Sequence, residues 1–214
     1  LTAVNGDGAT SNLTLYQGYN NETYFNVEPD NFIIGGETSK QDITFKWINQ
    51  NYNVVDNYID NGDIDVVGVT YGDKNNATIN FNPNKDYWVK SESVTFTSGE
   101  YEDTIGIDQL PTLLEFDKDG TQIYTLSLKY NKPIFTDLPY WINVLKVDDY
   151  EYKIMAKPNY YKQIQENTFK VNGVEMKVKQ EEGEGVGGVQ ESTINPSSLY
   201  FDVDGGSQFL MINS

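Results

Sequence analysis

The sequence predicts an all-β chain of tandem small sandwiches, and three observations carry that prediction. Apolar residues alternate with polar ones at period two, as half-buried strands require. The alternating runs are short and are separated by Gly, Asn, Asp and Pro clusters such as "DNGD", "GDKNN" and "NPNKD". One pattern also recurs three times. A Pro (29, 111, 196) is followed by an apolar residue three positions on (Phe32, Leu114, Leu199) and another five on (Ile34, Phe116, Phe201), and then by a Gly (Gly35, Gly120, Gly205).

Taken in order, residues 1–25 are a polar, Gly- and Asn-rich lead with a weak strand at Leu13 to Tyr16, the expected end of a preceding module. Residues 26–109 form a first unit. In it "DITFKWIN" sets Ile43, Phe45 and Trp47 on one face, which places Trp47 in the core, and "SVTFTS" alternates Val94 and Phe96 with polar residues. Residues 110–181 form a second unit. There "IYTLSLKYN" alternates Tyr124, Leu126, Leu128 and Tyr130, and "VEMKVKQ" alternates Val174, Met176 and Val178. Asn172-Gly173, just before the second of these runs, is the signature of a two-residue type I′ hairpin turn. The run "YYKQIQEN" (Tyr160 to Asn167) has room for one helical turn, but Pro158 and Asn159 precede it and no apolar stripe sustains it, so no helix is expected.

The acidic, Gly-rich stretch over 182–192 reads as a flexible linker. Residues 193–214 begin a third unit of roughly two strands. Two strands bury no core alone, so the natural chain is expected to continue. The Pro residues lie 82 (29 to 111) and 85 (111 to 196) residues apart, and the two complete units close alike, on Gln109 and Gln180. Repeats of this length have the size of a small β-sandwich, which makes the chain a string of domains rather than a solenoid.

Composition narrows the function classes. The chain of 214 residues is 38% hydrophobic and 14% aromatic, with 16 Tyr, enough to build real cores. Its 32 acidic and 15 basic residues leave a net charge of −17. That field repels phosphate backbones and anionic membrane surfaces, so neither nucleic acid nor membrane insertion is expected. There is no Cys and no His, which removes thiolate chemistry, disulfides, imidazole bases and His or Cys metal ligands.

The second unit has a recognisable order: an "FDKDG" turn, the strand "YTLSLKYN", the segment "LPYWINV" (Leu138 to Val144), then "YKIMAKPN" (Tyr152 to Asn159), a final hairpin and a closing "VKQ". This order resembles the BACON family (Bacteroidetes-associated carbohydrate-binding, often N-terminal). "INPSSLYFDVDGGSQFLMINS" looks like the first third of another copy. Unit one is a more divergent cousin, without the Asp-x-Asp-Gly turn and without "PYWI". The resemblance implies immunoglobulin-like β-sandwiches in tandem, in surface-exported carbohydrate-active enzymes of gut bacteria or in proteins of their phages. Trp141 matches the family's recurrent Trp.

Two chemistries follow as candidates. Sugar binding needs aromatic faces beside hydroxyl-bonding side chains. Tyr140 and Trp141 after Pro139, and Tyr160 and Tyr161 after "KPN", are the candidate residues, with Tyr87 and Trp88 after "NPNKD". The Asp-x-Asp-Gly pairs, Asp117 with Asp119 and Asp202 with Asp204, have the alternate-oxygen spacing that opens a calcium loop. The Glu such a loop needs six residues after Gly120 is Leu126, so a tight turn is the stronger reading and no cofactor is expected. No Ser stands in a nucleophile elbow, and "GEGVGG" lacks the Gly-Lys-Ser/Thr of a phosphate loop. The expectation is a non-enzymatic array on a secreted, cell-surface or virion-surface protein. Glycans, other copies of the chain or other surface or virion proteins are its expected partners.

Overall fold

The computed structural model describes residues 2–4, 10–12, 24–48, 55–59, 62–72, 75–185, 193–195 and 211–213, and every regular element among them is a β-strand. The lead contributes β1 (Thr2–Val4) and β2 (Thr10–Asn12), paired antiparallel. The weak strand expected at Leu13 to Tyr16 lies outside the described residues. The chain divides into two compact units.

Unit 1 comprises Leu1–Asn84, Val89–Leu110 and Leu128–Asn131. Its sandwich is built from β3 (Tyr24–Glu28), β4 (Asn31–Ile34), β5 (Lys40–Ile48), β6 (Val55–Ile59), β7 (Val66–Tyr71), β8 (Asn76–Phe81), β9 (Lys90–Ser98) and β10 (Tyr101–Gln109). Two four-stranded sheets result, β3-β5-β8-β7 and β4-β10-β9-β6. Pro29 separates β3 from β4. With no N–H to give, it ends one ladder, and the chain changes sheets. β3 then pairs antiparallel with β5, and β4 pairs parallel with β10. With β3 and β4 taken as strands A and A′, and β5 to β10 lettered B to G, these are the ABED sheet and the CFG sheet, the latter with A′ at its edge, of an immunoglobulin sandwich.

The period-two pattern becomes the core. Ile43 and Phe45 on β5, Val94 and Phe96 on β9, and Ile105 and Ile107 on β10 are all buried. Each large side chain removed from water contributes about 1.5–3 kcal/mol. Trp47 packs against this cluster as its alternation requires. Its ring centroid lies 5.5 Å from that of Phe25 and 5.9 Å from that of Phe45, and its Nε1 donates to Ser98 Oγ at 3.0 Å.

Unit 2 comprises Lys85–Trp88, Pro111–Ser127 and Lys132–Ser214. It contains β11 (Leu113–Phe116), β12 (Ile123–Ser127), β13 (Phe135–Thr136), β14 (Ile142–Lys146), β15 (Glu151–Ala156), β16 (Gln165–Val171) and β17 (Val174–Gln180). The sheets are β11-β17-β16-β13 and β12-β15-β14. β11 runs parallel to β17 as β4 does to β10. Leu126, Ile154, Phe169, Met176 and Val178 fill the core. The β16–β17 hairpin turns through Asn172 (φ 50°) and Gly173 (φ 82°), the left-handed pair a type I′ turn demands. The segment "YYKQIQEN" forms a bend and then enters β16, without a helical turn.

One alternating run is interrupted. The strand expected over Ile123 to Asn131 stops at Ser127, and Leu128–Asn131 pack with unit 1. Asp108, fully buried, explains the stop. Its carboxylate accepts the backbone N–H groups of Lys129, Tyr130 and Asn131 at 3.0–3.1 Å, the Asn131 side-chain amide at 2.9 Å and the Ser91 hydroxyl at 2.6 Å. Backbone donors that a strand would give to a neighbouring strand are given to a side chain instead.

Two short strands follow the second sandwich. β18 (Thr193–Asn195) pairs antiparallel with β19 (Met211–Asn213), with Asn195 opposite Met211. In unit 1, Glu28 stands opposite Thr44. Both pairs span sixteen residues, and in both the leading residue precedes a Pro, Pro196 or Pro29. The β18–β19 ladder is therefore in register with the opening β3–β5 ladder of unit 1.

Candidate functional site

Both units carry the same buried polar frame. β8 runs into Asn82-Pro83-Asn84, and β15 runs into Lys157-Pro158-Asn159. The loops that follow, 82–89 and 157–164, are equally long and bend at the same positions. The Asn after each Pro is buried. Asn84 N donates to Gly36 O at 2.8 Å, and its Nδ2 donates to the carbonyls of Gln109 and Leu110 at 3.2 Å. Asn159 N donates to Lys118 O at 2.6 Å, and its Nδ2 donates to the carbonyls of Gln163 and Glu181 at 2.8 Å.

The closing glutamines complete the frame from the other side. Gln109 Nε2 donates to Asn82 O at 3.0 Å, and Gln180 Nε2 to Lys157 O at 2.8 Å. Leu110 N meets Ile34 O at 2.9 Å as Glu181 N meets Phe116 O at 3.0 Å. Each unit thus ties its final strand, β10 or β17, to the loop after β8 or β15. A buried amide with its donors engaged stabilises; one left unpaired costs about 1–3 kcal/mol. The equality of the two closing Gln residues was visible in the sequence. The two Pro-Asn pairs were visible too, but only the loop length and the bonds give them a role.

The frame also corrects the sequence alignment at one point. Thr38 N donates to Gly35 O at 3.0 Å, and Gly120 N to Asp117 O at 3.2 Å. Gly35 is therefore the counterpart of Asp117, and Gly120 the counterpart of Thr38. Gly120 sits at φ 65°, where its lack of a Cβ matters twice over: a Cβ would also meet Ala156 O at 2.3 Å.

The side chains displayed on this frame differ between units. Tyr87 and Trp88 are exposed in the first loop, and Tyr161 in the second, where Tyr160 is half-buried. Tyr87 packs on Tyr124, with ring centroids 5.6 Å apart. Tyr124 also gives its hydroxyl to Glu115 O and meets Phe116 edge-on at 5.1 Å. Burial, with the nearby Tyr87 and Glu115, raises the Tyr124 pKa above 10.0.

The sequence candidates Tyr140 and Trp141 separate. Tyr140 is 71% exposed, and its carbonyl accepts from Lys157 Nζ at 2.8 Å. Trp141 is 1% exposed. Its ring meets Phe116 edge-on at 6.2 Å, and its Nε1 donates to Asn167 Oδ1 at 2.9 Å. A ring enclosed by its own core offers no face for a sugar to stack on, so Trp141 leaves the candidate binding set and joins the packing.

Asp117 is a turn residue in full detail. Its carboxylate accepts Thr121 N at 2.9 Å and the Thr121 hydroxyl, and its own N–H donates to Gln122 Oε1 at 2.7 Å. Desolvation acts to raise its pKa, but these hydrogen bonds prevail and hold it below 3.8. Asp119 is exposed beside it. Among the described residues no group of three acidic side chains gathers as a metal site would require. Asp202 and Asp204 lie outside the described residues. The acidic stretch after β17 begins pinned: Gly183 N donates to Tyr161 O at 2.7 Å, and Glu184 pairs with Lys118. Residues 186–192 of the expected linker lie outside the described residues.

Fold and frame together define a chain of immunoglobulin-like β-sandwiches. No family model matches the sequence, and no curated protein matches it. Similar solved structures include an endo-fucoidan hydrolase of glycoside hydrolase family 107, 13% identical over 85% of this chain and 33% of that one, with a TM-score of 0.33. They include two titin domains in complex with telethonin, 10% identical over 76% of this chain and 98% of that one, with a TM-score of 0.28. A titin Ig tandem is 8% identical over 75% and 98% of the two chains, with a TM-score of 0.28. The chain spans about a third of the hydrolase's length. No helix among the described residues is long and apolar enough to cross a membrane.

Proposed function

We propose that the chain is part of a non-enzymatic array of immunoglobulin-like modules, which spaces, decorates or anchors a secreted, cell-surface or virion-surface protein. One observation carries this reading. The two units repeat the main bonds of their internal frame, while the residues displayed on it change: Lys85, Asp86, Tyr87 and Trp88 in one loop stand where Tyr160, Tyr161, Lys162 and Gln163 stand in the other. A repeated binding or catalytic site would keep its displayed chemistry. An array under selection for reach and rigidity keeps its supports. The resemblance of the sequence to BACON modules supports a setting on an exported surface protein of a gut bacterium or on a phage particle, and the net charge of −17 suits a soluble, crowded surface.

A second reading, glycan binding by unit 2, is favoured by the exposure of Tyr140 and Tyr161 (71% and 59%). Affinity electrophoresis of the whole chain through gels of soluble mucin and plant polysaccharides separates the two. Mobility equal to that in a plain gel supports the array. Selective retardation that Tyr140→Ala or Tyr161→Ala removes overturns it in favour of a carbohydrate-binding module.

A further inference from the structure

β12 is an edge strand of the β12-β15-β14 sheet, at a position the chain covers elsewhere. Its counterpart in unit 1, β5, is flanked by β3 from Tyr24↔Ile48 to Glu28↔Thr44. β19 is flanked by β18 in the same register. Among the described residues unit 2 has no equivalent strand before β11, because β10 ends at Gln109 and β11 begins at Leu113. Alternate residues of β12 therefore turn N–H and C=O groups outward, with no strand among the described residues to receive them.

Exposed edges are ordinarily guarded by charge, Pro, a bulge or brevity. β7 has a bulge between Val66 and Gly68, β14 ends in Lys146, β11 carries Glu115, and β13 has two residues. β12 reads Ile-Tyr-Thr-Leu-Ser and has no such guard, in a chain of net charge −17. Its side chains at Ile123, Thr125 and Ser127 are exposed, Ile123 by 58%. On the same face stand half-buried Met155, opposite Ile123, and half-buried Leu145, opposite Lys153. Tyr87 and Phe116 engage Tyr124, whose side chain alternates with these.

We propose that β12 is a self-association edge: two copies of this chain pair β12 to β12, antiparallel, about a two-fold axis at Thr125. Self-pairing sets Thr125 against Thr125, Tyr124 against Leu126 and Ile123 against Ser127. These are β-formers in cross-strand pairs with no like charges opposed. The self-complementarity of this strand points to a second copy: paired with itself it opposes no like charges, and residues 110–181 around it balance ten Lys against ten acidic residues. The described strands able to cover a B-type position, β3 and β18, are already paired within their own ladders. Edge-to-edge pairing leaves those ladders intact, and the isologous contact closes at two copies. It joins two three-stranded sheets into one of six. The contact is smaller than a standard interface, so the dimer is weak, and screening of the mutual repulsion strengthens it as salt rises.

The proposal does not depend on the array reading; a chain that binds glycans would carry the same edge. Sedimentation velocity on the whole 214-residue chain tests it, at about 10 to 500 μM protein in about 0.02 and 1 M NaCl, where screening lengths differ about sevenfold. A reversible monomer–dimer equilibrium is expected, at least about tenfold tighter in high salt. Thr125→Lys sets two like charges at the axis and weakens it at least about tenfold; within one copy it also faces Lys153, so the melting temperature falls slightly, as for an exposed like-charge pair. A monomer at every concentration and salt overturns the proposal, even one that captures some unrelated strand. So does a dimer indifferent to Thr125→Lys, or growth beyond two copies.

Discussion

Asn159 donates its side-chain amide to the carbonyl of Glu181 at 2.8 Å, and so ties the loop after β15 to the residue that leaves β17. The same amide reaches Gln163 O, and the Asn159 Oδ1 accepts Tyr161 N at 3.0 Å and Gln165 Nε2 at 2.9 Å. Asn159→Ala leaves two carbonyls and two donors without their partner, some within reach of water. The expected loss is about 2–4 kcal/mol, given about 1–3 kcal/mol for each buried group left unpaired. Urea unfolding at constant m-value measures it. A change under about 0.5 kcal/mol, the range of an ordinary surface substitution, would show that the frame does not hold the fold.

Two left-handed glycines make a matched comparison. Gly173 at φ 82° has nothing within 4 Å of a built Cβ, so Gly173→Ala meets only backbone strain, about 1–2 kcal/mol. Gly120 at φ 65° adds the approach to Ala156 O at 2.3 Å, a backbone atom that cannot rotate away. Gly120→Ala is therefore expected to cost clearly more than Gly173→Ala in thermal unfolding. Equal losses would refute the close packing of the Asp117–Gly120 turn against the end of β15.

How much of this was legible in the sequence depends on whether a feature is periodic or relational. The strands at Ile43, Phe45 and Trp47, at Val94 and Phe96, and at Val174, Met176 and Val178 follow from alternation, and Asn172-Gly173 follows from the φ values only such a pair adopts readily. Leu128 and Tyr130 alternate just as well, yet they leave the strand, because a carboxylate twenty residues earlier captures the following amides. Alternation reports burial, and burial has more than one cause. Tyr140 and Trp141 are neighbours of similar chemistry with opposite exposure. Only the position of Phe116 and Asn167 in space decides between them. The open edge of β12 was likewise hidden, since the absence of a strand becomes visible only when two units are compared.

Charge on unit 2 gives a pH prediction. Asp149 faces both Lys146 (2.7 Å) and Lys132 (2.9 Å), whose hydrogen bonds and charges lower its pKa from 3.8 to about 2. A carboxyl depressed on folding contributes stability that is fully present above its unfolded pKa, and that is lost as pH falls through the folded value. The window is therefore roughly pH 4 down to 2. The two lysines, raised above 10.5, contribute below that value and lose the contribution as pH rises past it. All three groups are exposed, so the effect is small and salt-screened. Carboxyl NMR titration should place the Asp149 midpoint near 2 at low salt and move it upward in about 1 M salt. A midpoint at 3.8 in both would show that the ion pairs do not form.

The aromatic candidates yield the sharpest contrast. Trp141→Ala empties a fully enclosed site against Phe116 and removes the indole bond to exposed Asn167, so a loss of about 3–5 kcal/mol is expected. Tyr140→Ala and Tyr161→Ala remove exposed rings, and each should leave stability within about 0.5 kcal/mol of the parent chain. Chemical denaturation of the three variants decides this before any sugar is added. If the order holds, loss of glycan retention in Trp141→Ala reports unfolding, while the same loss in Tyr140→Ala or Tyr161→Ala reports a contact. If Trp141→Ala is as stable as the parent, the ring is not enclosed. It then returns to the candidate binding surface with Tyr140 beside it.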